Sequence, residues 1–216
     1  MIDDATLKQN VLDELQWDVK VNHAHIGVVT SDGSVTLSGH VESYPEKTAA
    51  VDATKRVRGV KALADEISVH LPSERRIDDS DIAGRLAHVL EWNVSIPDSN
   101  VQASVHAGHV TLTGEVEWQR QRRHIEEQVL HVSGITGISN KITIKAGPTR
   151  SDVKQEIENA LLRSSEKEAD QIKVTVSGNT VTLEGYVRDF HQRDLIEDAA
   201  WAAPGVLYVV DNIRIE

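Results

Sequence analysis

The chain has 216 residues, and its 34 Asp and Glu against 23 Lys and Arg give a formal net charge of −11 at pH 7. Proteins that hold nucleic acid through its phosphates present a basic face, so this balance argues against a nucleic-acid partner. The sequence has no cysteine, which excludes disulfides and thiolate metal sites. Its longest aliphatic or aromatic run, residues 206–210, is far short of the ~20 residues that cross a bilayer, and no transmembrane segment is predicted.

The first ten residues, MIDDATLKQN, are acidic and polar, unlike the basic start and apolar stretch of a secretory signal. We therefore expect a cytoplasmic location for the chain as given, and a periplasmic one if an export signal has been removed. The sequence contains no phosphate loop, GxSxG elbow or HExxH helix. These absences predict a non-enzymatic protein without a cofactor.

Three segments, within residues 32–41, 107–116 and 178–187, share the pattern V-T-L-x-G-x-V. In each, the glycine lies 20 residues before a second glycine that opens another shared phrase. The six signature glycines are Gly39, Gly59, Gly114, Gly134, Gly185 and Gly205. Such a repeat means three copies of one small unit, which we place at residues 1–72, 73–147 and 148–216. Units this small have marginal cores, so we expect them to pack on one another or the chain to self-associate.

Each unit begins with apolar residues spaced i, i+4, i+8, which predict an amphipathic helix. These residues are Leu7, Val11 and Leu15, then Ile82, Leu86 and Leu90, then Val153, Ile157 and Leu161. The predicted N-caps stand just before them: Asp4, Asp79 or Ser80, and Ser151. Apolar and polar residues then alternate on both sides of a tight turn, which predicts a β-hairpin.

A second helix is predicted between the two signature glycines of each unit. In the first unit, Ser43 and Glu46 have capping-box spacing ahead of an apolar face. The second glycine is expected to end the helix in a left-handed conformation, and a last strand follows. A strand, helix and strand within about 30 residues form a βαβ crossover, so the last strand should run parallel to the second.

The predicted fold class is therefore α+β, with three tandem αββαβ units. Each unit is expected to be a three-stranded mixed sheet with two helices packed on one face, and the strand order stays open. This element order, with its V-x-L-x-G-x-V and G-V-x-x-V-x-N-x-I-x-V phrases, resembles the BON domain, named for bacterial osmotically inducible and nodulation proteins. The resemblance covers nearly the whole chain as three copies. It implies a non-enzymatic module of envelope and osmotic stress, associated with phospholipid binding, with relatives that include a potassium-binding protein.

The signature glycines are interpreted as structural. Those within strands are expected to mark a bulge or a point where a helix packs on backbone, and the later ones a positive φ. Trp17 and Trp92 occupy the same position after the first helix of their units. We expect both to cap the local core.

Ten histidines raise the question of a metal site. His23 lies two residues from His25, and His106 and His109 flank the second hairpin turn. Two imidazoles without a defined carboxylate partner fall short of a tetrahedral site, and neither pair recurs in the other units. No metal site is predicted.

The segment WQRQRRH opens the second helix of the middle unit, where the helix dipole disfavours cations. A cationic cluster beside an amphipathic aromatic residue and free helix amides suits a lipid phosphate. The predicted lipid-binding residues are therefore Trp118, Arg120, Arg122, Arg123 and His124. The competing interpretation is that these arginines pair with acidic faces of the neighbouring units.

Two functions follow from these observations. The first is a stress-related binding or scaffold protein whose middle unit contacts anionic phospholipid headgroups at a membrane surface. The alternative is a soluble cytoplasmic protein that uses exposed sheet edges or helix faces for assembly with protein partners or with itself. A sensor of a small ion such as potassium, held by backbone carbonyls, also stays open.

Overall fold

The computed structural model describes residues 2–73, 76–91, 101–145, 154–155, 157–159, 172–203 and 205–215. The first unit contains two helices, one short 3-10 turn and three strands. In chain order these are α1 (Asp4–Trp17), the 3-10 turn (His23–His25), β1 (Ile26–Ser31), β2 (Ser34–Val41), α2 (Tyr44–Arg56) and β3 (Ala62–Val69). The predicted αββαβ order is thus present in this unit.

The other two units repeat this order. The middle unit has α3 (Asp79–Glu91), β4 (Gln102–His106), β5 (His109–Val116), α4 (Gln119–Leu130) and β6 (Gly137–Ile144). In the third, residues 154–155 and 157–159 are helical, followed by β7 (Ile172–Ser177), β8 (Thr180–Val187), α5 (Phe190–Ala202) and β9 (Tyr208–Ile215). The prediction of three tandem α+β units is confirmed.

Each unit forms its own three-stranded mixed sheet, in the orders β1-β2-β3, β4-β5-β6 and β7-β8-β9. The central strand pairs antiparallel with the strand before it and parallel with the strand after the helix. The parallel pairing was expected, because the helix carries the chain back to the end of the sheet at which the central strand begins, so the next strand runs in the same direction. The last strand of each unit is consequently an edge strand.

The apolar stripes of the first helices are buried in three separate cores, one for each unit. Leu7, Val11 and Leu15 are almost completely inaccessible, as are Ile82 and Leu86. Ile157 is buried in the third core, whereas Val153 and Leu161 lie outside the described residues. Burial of these side chains is the main source of stability for units of this size.

The predicted N-caps of the first helices were wrong for the two copies that the structure describes. Asp3 caps α1 by accepting a hydrogen bond from the Thr6 amide. Asp4 and Asp79 are instead the first residues of α1 and α3, and their carboxylates accept hydrogen bonds from the hairpin turns. The distances are 3.1 Å from Asp32 N to Asp4, and 2.8 Å from both Ala107 N and Gly108 N to Asp79. Ser80 lies inside α3, and Ser151 falls outside the described residues.

The strand glycine of the first unit has a more specific role than the sequence indicated. Gly39 has φ +114°, and a Cβ built on it would lie 2.0 Å from the His25 carbonyl oxygen. The last residue of the 3-10 turn before β1 thus approaches this glycine, which pairs with Ile26 at the end of the ladder of β1 on β2. Glycine is required by both the φ value and the lack of space.

The later glycine has the expected positive φ, with +100° at Gly59, but it does not end the helix. The last residue of α2 is Arg56, and Val57 after it has an extended backbone. Gly59 therefore serves the turn between α2 and β3. The expectation that Trp17 caps the core was also wrong, because its side chain is 84% exposed; Trp92 lies outside the described residues.

Candidate functional site

The second helices of the three units bring the units together, since α5 contacts both α2 and α4. Each of these helices begins five residues after its strand glycine, at Tyr44, Gln119 and Phe190. Tyr44 packs against the core of the middle unit, and Phe190 packs against the core of the first. We call the contact between two units a seam, and we name the first–middle, middle–third and third–first seams after the units that they join.

At the first–middle seam, an aromatic side chain meets the edge of the neighbouring sheet. The Tyr44 hydroxyl lies near the backbone amide of Ile138 in the edge strand β6. Burial raises the pKa of that hydroxyl, and the Ile138 amide opposes the rise. Tyr44 therefore fills the seam and covers part of the edge of the neighbouring sheet.

An ion pair crosses the middle–third seam. Arg123 donates two hydrogen bonds to the carboxylate of Asp198, from Nη1 to Oδ2 at 2.8 Å and from Nη2 to Oδ1. The hydrogen bond to Asp198 raises the pKa of Arg123. Arg123 thus neutralises an acidic residue of the next unit, as the competing interpretation of the arginines supposes, and the bidentate geometry fixes α4 on α5.

Arg122 serves its own unit. It lies eight residues after the strand glycine, where the other units have helix-to-strand ion pairs. Those pairs are Lys47–Asp65 at 3.0 Å and Arg193–Asp211 at 2.6 Å. In the middle unit Asn140 replaces the acid, and its backbone oxygen accepts from Arg122 Nη2 at 3.4 Å. Arg122 therefore ties α4 to the edge strand β6.

Arg120 and Trp118 form a different kind of contact. The Arg120 guanidinium lies 4.8 Å from the centroid of the Trp118 ring, which is cation–π geometry. Trp118 stands at the N-cap of α4, where Ser43 and Asp189 accept a helix amide in the other units. An indole has no acceptor, and the first turn of α4 contains no acidic residue. Within the described part of the chain, Arg120 has no carboxylate partner.

These side chains line a groove of about 370 Å³ along the middle–third seam, which we call the seam groove. Its lining consists of Trp118, Gln119, Arg120, Arg123, His124, Glu127, Asp198, Trp201 and Ala202. Gln119 Oε1 is buried and has no hydrogen-bond partner among the residues described. Trp201 is held in place by a hydrogen bond of 3.1 Å from its indole nitrogen to Glu197.

The structure therefore brings four of the five predicted site residues to one groove and directs Arg122 elsewhere. Sequence reasoning missed Gln119 and Glu127, which lie on the same helix, and Asp198 and Trp201, which the third unit contributes. A signal for Gln119 was present, because it is the polar residue at a position that is aromatic in the other two copies. Nothing in the sequence pairs α4 with α5.

The third–first seam carries like charges where the middle–third seam carries its ion pair. The positions equivalent to Arg123 and Asp198 are Asp194 and Asp52. Burial raises the pKa of Asp52; Lys55 and Arg56 oppose this, while Asp194 and Asp18 add to it. The carboxylate of Asp52 is thus unfavourably placed when it is ionised.

We expect Asp52→Asn to raise the free energy of unfolding at neutral pH by less than about 1 kcal/mol, because the side chain is only partly desolvated and solvent still screens its charge. A group whose folded pKa is raised contributes stability below its ordinary value of 3.8, and that stability is lost as the pH rises through the folded pKa. The gain should therefore vanish in acid. Urea unfolding at neutral and at acidic pH measures this gain in stability, with Glu66→Gln on the exposed surface of β3 as the control. An equal gain at both pH values would contradict the assignment.

Histidines gather on the sheet of the first unit in a way the sequence did not indicate. His40 stacks on His25 at 4.7 Å and on His70 at 5.1 Å between ring centroids. In the described ranges, no group of three or more His, Asp or Glu side chains is arranged to hold a metal ion. No helix in those ranges is long and apolar enough to span a membrane.

The fold and the repeated units agree with what comparison with known proteins finds. The profile of the BON domain matches three times, at residues 3–70, 78–146 and 149–216. The chain belongs to the BON domain family.

Among individual proteins, it is similar to "Osmotically-inducible protein Y" of Escherichia coli (strain K12), with 27% identity over 148 residues, covering 67% of this chain and 74% of that protein. Two solved structures of CdsD, a structural protein of the type III secretion system of Chlamydia trachomatis, align at 17% identity with a TM-score of 0.27. One alignment covers 96% of this chain and 91% of the solved chain, and the other, to the C-terminal domain of CdsD, covers both chains completely.

Proposed function

We propose that this chain is a non-enzymatic binding protein of the osmotic or general stress response, and that its seam groove holds phospholipid headgroups at a membrane surface. The stress role is supported by membership of the BON family and by similarity to an osmotically inducible protein. The groove is supported by one observation above all. Arg120 lies over Trp118 at a helix start whose N-cap side chain offers no acceptor to the helix amides, which is a suitable place for a phosphate.

The arginines of the segment do not contribute equally to this proposal. Arg123 is engaged with Asp198 and Arg122 with β6, so neither offers a free charge without a loss of structure. Arg120 and His124 are left to meet a ligand, with Trp118 at the level of the headgroups, where amphipathic rings are favoured. The proposal therefore rests on Arg120 more than on the cluster as a whole.

Reversing the charge of Arg120 should weaken membrane binding. A basic residue near an anionic surface contributes about 1 kcal/mol, so Arg120→Glu should lower vesicle binding by about tenfold or more. The measurement is flotation with phospholipid vesicles, and Arg58→Glu, an exposed arginine after α2, makes the same charge change away from the groove. Binding that is absent in the unaltered chain, or equal in both variants, would remove the lipid role.

A second function, assembly with protein partners or with itself, is favoured by the outer strand of the third unit. The edge strand β9 exposes Tyr208 at 65% and Val210 at 43%. Exposed apolar residues on a strand edge offer both backbone pairing and apolar area to another chain. Light scattering together with affinity capture tests this function, and a monomer without partners would count against it.

A further inference from the structure

The seam groove differs from the other two seams at one residue. Tyr44 and Phe190 fill their seams with aromatic rings packed against the next core. The equivalent Gln119 leaves an open groove and a buried amide oxygen without a donor among the described residues. Buried acceptors are almost always paired, and leaving one unpaired is costly. The groove is therefore short of a hydrogen-bond donor, which a ligand can supply.

The charges around the groove are of both signs. Arg123 and Asp198 neutralise each other, so Arg120 and Glu127 remain as a cation and an anion on the lining. Neither forms an ion pair in the described ranges, although the charge of Glu127 helps to raise the pKa of Arg123. A purely anionic ligand would find Arg120 but would also face Glu127, in a chain of net charge −11. A ligand with both a phosphate and an ammonium group would match both.

From these observations we propose that the seam groove selects a phosphodiester headgroup that carries a primary ammonium, as phosphatidylethanolamine does. Its phosphate meets Arg120 and His124. Its ammonium group donates hydrogen bonds to Gln119 Oε1 and Glu127 beside the ring of Trp201, whose face favours a cation. This inference rests on the proposed function, which it makes more specific: the headgroup is zwitterionic, and Gln119 recognises its N–H donors.

Headgroups that differ in one feature test the proposal. Phosphatidylcholine has the same charges as phosphatidylethanolamine but no N–H donor, and phosphatidylglycerol has a net negative charge. Flotation is carried out with phosphatidylcholine vesicles, alone or with an equal share of either other lipid. A hydrogen bond to a charged group predicts about tenfold tighter binding to the ethanolamine vesicles than to phosphatidylcholine alone. Soluble glycerophosphoethanolamine should compete with these vesicles better than glycerophosphocholine.

Two variants of Gln119 separate recognition from shape. Gln119→Leu keeps the size but removes the acceptor. The ratio of binding to ethanolamine vesicles over binding to phosphatidylcholine vesicles should therefore fall towards one. Gln119→Phe restores the aromatic residue of the other seams and should abolish competition by the soluble headgroup. Thermal unfolding checks that both variants fold, and Gln119→Leu should be at least as stable as the unaltered chain, because it removes an unpaired buried acceptor.

Failure of this inference can be told from failure of the proposed function. Equal binding to the ethanolamine and choline vesicles, or tightest binding to phosphatidylglycerol, would overturn the inference while Arg120-dependent vesicle binding stands. A preference for ethanolamine vesicles without competition by the soluble headgroup would also overturn it, because the bilayer rather than the groove would then be responsible. Binding to none of the vesicles would overturn both.

Discussion

Gly39→Ala is expected to destabilise the first unit by about 3 kcal/mol or more. The added Cβ would lie 2.0 Å from the His25 carbonyl oxygen, and φ at this position is +114°. The obstacle is the backbone of the 3-10 turn that leads into β1, so this turn and the start of β1 must move away from β2 before the methyl group fits. The strained dihedral alone costs about 1 to 3 kcal/mol for a residue other than glycine. Urea unfolding followed by circular dichroism measures the loss.

Gly84→Ala is the matched control for this substitution. Gly84 lies inside α3, where a Cβ would meet nothing within 4 Å. Alanine is the better helix former by about 1 kcal/mol, so this variant should be more stable than the unaltered chain. Replacing glycine by alanine is thus expected to lower the stability at Gly39 and to raise it at Gly84. Similar effects at both positions would mean that Gly39 is not held by the backbone of the residue before β1.

Phe190→Ala is expected to remove about 2 kcal/mol from the coupling between the third and first units. Phe190 is partly buried and packs against the first core. Its truncation should therefore cost only part of what a Phe→Ala change costs at a fully buried position. Among the residues that the structure describes, the third–first seam has no ion pair to compensate, and its equivalent positions are both aspartates. We expect the first and third units to unfold less cooperatively, which calorimetry detects as a van't Hoff enthalpy below the calorimetric one.

Leu195→Ala on the same helix is the control for the seam. Leu195 is 45% exposed, and its truncation should change stability by no more than about 0.5 kcal/mol. If Phe190→Ala were equally mild and left unfolding as cooperative as before, the third–first seam would not join the units in solution. Tyr44→Ala provides the corresponding test at the first–middle seam.

The repeated pattern was sufficient to predict the fold of each unit. Apolar residues at helical and strand spacing, such as Leu7, Val11 and Leu15, determine which face is buried, and the crossover determines that β3 runs parallel to β2. Details set by close contacts were missed. The N-cap of α1 was placed one residue late, Trp17 was assigned to the core, and Gly59 was placed at the helix end. The boundaries at 1–72, 73–147 and 148–216 stay a prediction.

The candidate site was predictable only in part. The basic segment at Trp118 to His124 stands out in the sequence because the other two copies lack it. The sequence could not show which guanidinium groups are held by other residues of the protein, because the partners are distant in the chain. They are Asp198 for Arg123 and Asn140 for Arg122. Gln119 stood out because the equivalent residues of the other two copies are aromatic. The importance of this difference could not be recognised without knowing that these positions contact another unit.

The sequence by itself thus determined the three units, their elements and their cores, because periodicity and glycine spacing act within about 70 residues. Only the tertiary structure decided which helix faces meet at each seam. Side chains that are equivalent in the repeats become an ion pair at one seam, Arg123 with Asp198, and like charges at another, Asp194 with Asp52. The physical reason is that a seam combines residues from two copies, and the pattern of a single copy contains no information about its neighbour.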